Sequence, residues 1–136
     1  METLETRYTS TSKALEQLKK SLDTIQENKY PELYEQLRDS LIKRFEFSFD
    51  TMWKYLKEYL KEIRKTEVQY PSPNRVFRKS YEQKLISEQK LNILLDATTD
   101  RNLTSHTYNE KLAEQISKRI SEYYDTMKSI IDKLES

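Results

Sequence analysis

The sequence predicts an all-α protein, an antiparallel up-and-down bundle of four to five helices. Three observations support this fold class. The 136 residues contain no glycine, which sheet proteins need at hairpin turns and bulges. Only three prolines interrupt the chain, at Pro31, Pro71 and Pro73. Apolar residues recur three and four positions apart through most of the rest, which is the helical period. The length predicts one domain, residues 1–136.

The first helix is predicted by four aliphatic residues at helical spacing. Asn28, with Pro31 soon after it, predicts where this helix ends, because asparagine accepts a left-handed backbone and proline cannot continue a helix. The four aliphatic residues are Leu15, Leu18, Leu22 and Ile25.

A second, longer apolar stripe runs from Glu32 to about Lys65. Asp39 or Ser40 is suited to cap a new helix inside this run, so a break at that point is expected. The middle, "RFEFSFDTMW", is apolar on more than one side, because Phe47 lies opposite its neighbouring phenylalanines. A helix of this kind is central in a bundle or lies in an oligomer interface. The stripe consists of Leu33, Leu37, Leu41, Phe45, Phe49, Met52, Leu56, Leu60 and Ile63.

Proline and serine predict where the next two helices begin. Ser72 before Pro73 is an N-cap followed by proline at the first helical position, which predicts the start of a third helix. Ser87 is suited to cap a fourth helix, which we expect to end near Arg101-Asn102.

A fifth helix is predicted after His106. Thr107 and Glu110 have capping-box spacing, and the apolar rhythm then continues without a break to the C-terminus. Arg101 would therefore lie near the end of one helix, His106 in a short connection and Tyr108 in the first turn of the next. These three residues are expected to gather at one end of the bundle.

Composition excludes several classes of site. Without cysteine there is no disulfide, thiolate nucleophile or cysteine-ligated metal, and with one histidine we expect no metal site and no cofactor. The N-terminus does not resemble a signal or transit peptide, and no segment is long and apolar enough to cross a membrane, so we expect a cytoplasmic protein without a membrane partner. Charge is balanced, 24 basic against 23 acidic residues.

Arginine and histidine in this arrangement are suited to cleaving RNA without a metal. The reaction needs a base for the 2′-hydroxyl, an acid for the leaving oxygen and a cation for the transition state. A mechanism with two histidines would require two chains, which a symmetric dimer supplies. Helix-end arginines and loop histidines are also common without any function, so from these residues alone the non-catalytic interpretation stays open.

Three segments resemble the signature blocks of the nucleotidyltransferase substrate-binding family, which are helical proteins of the HEPN type. The segments are "LRDSLIKRFEFSFDTMWKYLKEYL", "SPNRVFRKSYEQKLIS" and "DRNLTSHTYNEKLAEQI". Within the last, "RNLTSHTY" reproduces both the Arg-x4-His signature of HEPN ribonucleases and its extended Arg-x4-His-x-Tyr form. Lys84, where the family usually has glycine, and Asp50, where glutamate is more common, depart from the pattern.

The resemblance implies a HEPN-like bundle that forms a homodimer, with Arg101 and His106 of each chain as catalytic residues near a shared cleft. It implies a ribonuclease toxin, encoded beside a minimal nucleotidyltransferase that silences it by adenylylating Tyr108. Asn102 would help to orient phosphate. The acidic pair Glu46 and Asp50 would order arginines at the bundle end.

The family name implies an alternative, a non-catalytic binding subunit that holds a substrate for a separate nucleotidyltransferase. Arg75, Arg78 and Lys79 would then contact an anion or RNA. The chain is not expected to be the transferase itself, because it has no glycine for the Gly-Ser start of such enzymes.

Overall fold

The computed structural model describes residues 2–106 and 109–135, and for His106 and Glu135 the backbone alone. Within these ranges all regular structure is helical, which confirms the all-α prediction. The described residues form six α-helices, where four to five helices were predicted. They are α1 (Leu4–Glu27), α2 (Tyr34–Glu62), α3 (Pro73–Glu82), α4 (Glu88–His106), α5 (Glu110–Ser117) and α6 (Ile120–Glu135), with a short 3-10 turn at Pro31–Leu33.

The helix ends that depend on local chemistry lie where the sequence predicts them. Ser72 Oγ accepts a hydrogen bond from the Arg75 backbone N–H at 3.4 Å. Ser87 Oγ does the same for Lys90 at 3.2 Å. Asn28 ends α1 in the left-handed conformation, with φ of 52°. The two serine contacts satisfy backbone N–H groups that the start of a helix leaves without an intrahelical partner.

The C-terminal apolar rhythm belongs to two helices, so the prediction of one unbroken helix is wrong. The chain turns at Lys118, whose backbone N–H bonds to Ile116 O, and α6 begins after Arg119. Apolar spacing continues through the turn because both helices bury the same side of the chain, and spacing alone does not show a change of axis. Thr107, the predicted cap, lies outside the described residues, and Asn109 caps α5.

Two further boundaries correct the sequence prediction. Helix α2 continues through Asp39-Ser40, because both side chains are exposed and need no break in the helix to reach water. Helix α4 continues past Arg101-Asn102 to His106. Its last turn contacts α2, since Thr104 Oγ1 donates to Glu46 Oε2 at 2.6 Å. That tertiary contact stabilises a turn that the local sequence does not demand.

Helix α2 is central, which is one of the two places that its apolar circumference allowed, and it packs against the other five α-helices of the described chain. Phe45 stacks on Tyr123 of α6, with ring centroids 5.4 Å apart. Phe49 meets Phe77 of α3 edge-on at 5.8 Å. Phe47 is instead 60% exposed. No helix in the described part of the chain has the length and apolarity that crossing a membrane requires.

Candidate functional site

Arg101 of α4 lies against two carboxylates of α2. Its Nε and Nη2 donate to the two oxygens of Asp50 at 3.2 and 3.0 Å, which is a bidentate pair. Its Nη1 donates to Glu46 Oε2 at 3.3 Å. Glu46 and Asp50 reach one guanidinium because they are four residues apart on a helix and share a face. The structure therefore brings together three of the residues singled out in the sequence.

Hydroxyl groups complete this cluster. Ser105 Oγ accepts a further hydrogen bond from Arg101 Nη1, and Thr104 donates to Glu46. The hydrogen bond to Asp50 raises the pKa of Arg101; burial acts in the opposite direction, and the charges of Asp50 and Glu46 add to the increase. The guanidinium consequently stays charged, and its plane is fixed by acceptors on both sides.

Asn102, His106 and Tyr108 are the other motif residues singled out in the sequence, and the structure describes them to different extents. Asn102 is exposed to solvent. His106 is the last residue of α4 rather than part of a loop, which corrects the prediction. Tyr108 lies outside the described residues.

The basic residues of α3 form a separate cleft. Arg75, Arg78 and Lys79 line about 430 Å³ together with Glu67 and Glu82. Lys79 Nζ is 2.8 Å from Glu82 Oε2, so one of the three cations is already paired. This cleft shares no lining residue with the Arg101 cluster, so the predicted anion contacts are grouped with one another and not with the Arg-x4-His motif.

A cavity of about 190 Å³ adjoins the cluster, and sequence reasoning did not find it. Ile42, Leu112 and Ile116 form part of its apolar lining, while Glu46 and Thr104 are polar residues on its wall. It arises where α5 packs beside α2, a pairing that periodicity does not predict. In the described residues no group of three histidine, cysteine or acidic side chains is placed to hold a metal ion.

Sequence reasoning also missed a buried network beside the motif. Asp100 Oδ2 and Oδ1 accept from Arg119 Nε and Nη2 at 2.8 and 2.9 Å. Tyr123 Oη donates to Asp100 Oδ2 at 2.6 Å. The available signal was Asp100 itself, a carboxylate three positions after Ala97 on the buried side of α4. Consecutive residues are thus held by different parts of the fold, Asp100 by Tyr123 of α6 and by Arg119 just before it, and Arg101 by α2, which fixes the rotation of α4.

Because Tyr123 is part of this network, we expect the free energy of unfolding to fall at alkaline pH. Burial first, and then the hydrogen bond to Asp100, raise the pKa of Tyr123 well above its usual 10. Folding therefore opposes loss of the phenolic proton. The contribution of Tyr123 to the free energy of unfolding is complete below pH 10 and declines as the pH rises above 10. Chemical denaturation between pH 8 and roughly pH 11 should show a smaller decline for Tyr123→Phe than for wild type. Tyr70→Phe, at a ring that is 82% exposed, is the control, and equal declines in all three would contradict the prediction.

Comparison with known proteins identifies the family. Residues 6–136 match the sequence profile of the family described as nucleotidyltransferase substrate binding protein like. The chain belongs to this family. The resemblance of the three sequence blocks is thereby confirmed, and the match extends over nearly all of the sequence. A search of curated proteins found no significant match.

Two solved structures have the same fold as this family member. A protein from Thermus thermophilus is 34% identical, with a TM-score of 0.72, over 88% of this chain and 99% of its own. A chain of a mutant of the toxin-antitoxin pair MntA-HpeT has a TM-score of 0.74 at 14% identity, over 97% of this chain and 96% of its own. At that identity the second likeness concerns the fold alone.

Proposed function

We propose that this chain is the helical partner of a minimal nucleotidyltransferase in a two-gene toxin-antitoxin module. We further propose that it is a metal-independent ribonuclease that acts as a homodimer and is silenced by adenylylation of Tyr108. The observation that carries the proposal is the Arg101 guanidinium, held by Asp50 and Glu46 five residues before His106 in a family member. The fold shared with a toxin-antitoxin component supports the same proposal.

The residues have distinct roles in the proposed cleavage. His106 of one chain accepts the proton of the 2′-hydroxyl, whose oxygen attacks the phosphorus. His106 of the second chain gives a proton to the departing 5′-oxygen. The products are a 2′,3′-cyclic phosphate and a 5′-hydroxyl. Arg101 stabilises the charge that develops on the phosphoryl oxygens.

The carboxylates would preorganise Arg101 for this role. A guanidinium has five N–H donors, and four of them are directed to Asp50, Glu46 and Ser105, which leaves one on Nη2 for a phosphate oxygen. An arginine held in this way loses little side-chain entropy when substrate binds. Glu46 and Asp50 are therefore positioning residues, and Asn102, exposed beside Arg101, is suited to contact the next phosphate.

Adenylylation would act on the same site. The Tyr108 oxygen attacks the α-phosphorus of ATP and loses its proton, and pyrophosphate leaves. The adduct places a bulky anion two residues after His106, where it excludes the RNA phosphate and opposes the charge of Arg101.

A second candidate function is the non-catalytic binding subunit. It is favoured by the same two carboxylates, because one guanidinium with Glu46 and Asp50 gives a group that is net negative and attracts phosphate weakly. The α3 cleft of Arg75, Arg78 and Lys79 would then supply the anion contacts.

Intact-protein mass spectrometry separates the two functions. After co-expression with the neighbouring nucleotidyltransferase, the wild type should gain mass in whole adenylyl units and Tyr108→Phe should gain none. The unmodified protein should cleave RNA, and His106→Ala should not, while circular dichroism shows the same helix content. Undiminished cleavage by His106→Ala would contradict the ribonuclease proposal. A stable complex without added mass would favour the binding subunit.

A further inference from the structure

A long groove separates α1 from α2 on the side of the bundle where Phe47 emerges. It consists of two adjoining clefts of about 520 and 430 Å³, which share Ser10 and Phe47. It follows α2 from Ser40 to Lys54, a length of about 21 Å. We call it the Phe47 groove and define it by Ser10, Lys13, Arg44, Phe47, Thr51 and Lys54.

Phe47 offers an aromatic face at the midpoint of this groove. Its ring is 60% exposed, whereas Phe45 and Phe49 on the same helix are buried in the core. A large apolar side chain gains nothing from exposure to water. Hydroxyl groups flank it on both helices, with Ser10 on α1 and Thr51 on α2. The ring is therefore a flat apolar surface between hydroxyl groups.

Cations line the groove on both sides of the ring. Lys13, Lys43 and Arg44 line one cleft, and Arg7 and Lys54 line the other. Lys13 and Lys54 form no ion pair with any residue that the structure describes.

Among the described residues two carboxylates, Glu2 and Asp50, line the groove beside these five cations, and a third, Glu46, lies 3.6 Å from Lys43 Nζ. Glu2 is 3.3 Å from Arg7 Nη1, and Asp50 is bonded to Arg101. The groove therefore attracts a polyanion, although the chain as a whole is nearly neutral.

We propose that the Phe47 groove binds single-stranded RNA, with one base stacked on Phe47 and the flanking phosphates beside the cations. Cations along a channel with an exposed aromatic ring are the combination that binds single strands, because every base has a face for stacking. Asp50 lies in the wall of the groove and holds Arg101, so a strand in the groove would lead to the Arg101 cluster. That last step rests on the proposed ribonuclease function.

A second copy of the chain fits this surface less well. In a symmetric dimer the same patch faces itself, so the five cations of one copy would face the five of the other. Like charges placed together at an interface oppose association. The α3 cleft is also a weaker RNA site, since its lining contains no aromatic residue and Lys79 is paired with Glu82.

Fluorescence anisotropy with a short labelled oligouridine tests the proposal. All proteins carry His106→Ala, so that binding is measured without cleavage. Phe47→Ala should weaken binding about tenfold, and Phe47→Trp should retain it, because stacking needs an aromatic face. Lys13→Ala with Lys54→Ala should weaken binding and make it less dependent on salt, since fewer counterions are released. Tyr70→Ala and Arg64→Ala, at exposed residues that line neither the groove nor the α3 cleft, should bind as the parent does.

Several results would contradict the proposal that the Phe47 groove binds single-stranded RNA. They are no binding by the parent, equal binding by Phe47→Ala, or a fall in affinity that follows a change of mass in analytical ultracentrifugation. The last would identify Phe47 as a contact between copies. If RNA binds in the groove but protein with native His106 does not cleave it, the proposed RNA binding is supported and the ribonuclease proposal is wrong. If the native protein cleaves RNA and Phe47→Ala leaves KM unchanged, the ribonuclease proposal is supported and the proposal that RNA binds in the Phe47 groove is wrong.

Discussion

Replacing Arg101 with lysine should abolish RNA cleavage as completely as replacing it with alanine. Lysine keeps the charge but carries a single ammonium, which cannot bond both oxygens of Asp50 and also reach Glu46. The charge would no longer be held where the phosphoryl oxygens need it. An arginine that stabilises phosphoryl transfer typically contributes about a thousandfold or more to the rate. In both variants the rate of single-turnover cleavage of labelled RNA should therefore fall by about a thousandfold or more.

Arg64→Lys is the matched control for this experiment, because it makes the same substitution at an exposed residue outside the Arg101 cluster and the α3 cleft and should leave cleavage unchanged. Circular dichroism confirms that each variant is folded. Substantial cleavage by Arg101→Lys would mean that a point charge is enough, and the positioning role of Asp50 and Glu46 would be wrong.

Arg119→Ala should be among the most destabilising substitutions at a surface-reaching residue. It leaves the Asp100 carboxylate, whose side chain is only 6% exposed, with Tyr123 as its remaining partner. A buried charge that loses its counterion costs several kcal/mol, but Arg119 is 46% exposed and water can partly replace it. We expect the free energy of unfolding to fall by about 2 kcal/mol in urea denaturation.

Lys128→Ala provides the control for this loss, because Lys128 pairs with Asp132 on the same helix with both side chains about half exposed. Its effect should be less than about 0.5 kcal/mol. Adding Asp100→Asn to Arg119→Ala should recover part of the loss, because the neutral amide has no charge to compensate. Equal effects of Arg119→Ala and Lys128→Ala would show that the network contributes nothing beyond a surface pair.

Local chemistry explains which boundaries the sequence predicts correctly. Ser72, Ser87 and Asn28 act on backbone groups within a few residues of themselves, so their roles can be predicted from the neighbouring residues. The turn at Lys118-Arg119 has no such signal, because no glycine or proline marks it. The extension of α4 to His106 depends on Thr104 reaching Glu46, which is distant in sequence.

The candidate site likewise contains residues that the sequence could predict and contacts that it could not. Arg101, Glu46 and Asp50 could be predicted because they lie in blocks that resemble a family, and the structure joins them. Asp100 is adjacent to Arg101 in the chain, yet its partner Arg119 could not be predicted, since the ion pair depends on where α6 crosses α4. The cavity beside Glu46 likewise depends on how α5 lies along α2.

The sequence by itself determined the helical class and the family, because glycine content, apolar period and motif order are properties of the linear sequence. It left open whether α2 is central in the bundle or lies in an oligomer interface. Only the tertiary structure decided that Asp100 and Arg101 are held by different parts of the fold and that Phe47 lies in a basic groove. The physical reason is that hydrogen bonds, ion pairs and grooves form between side chains brought close by packing. The crossing of two helices is set by the whole core rather than by any one segment.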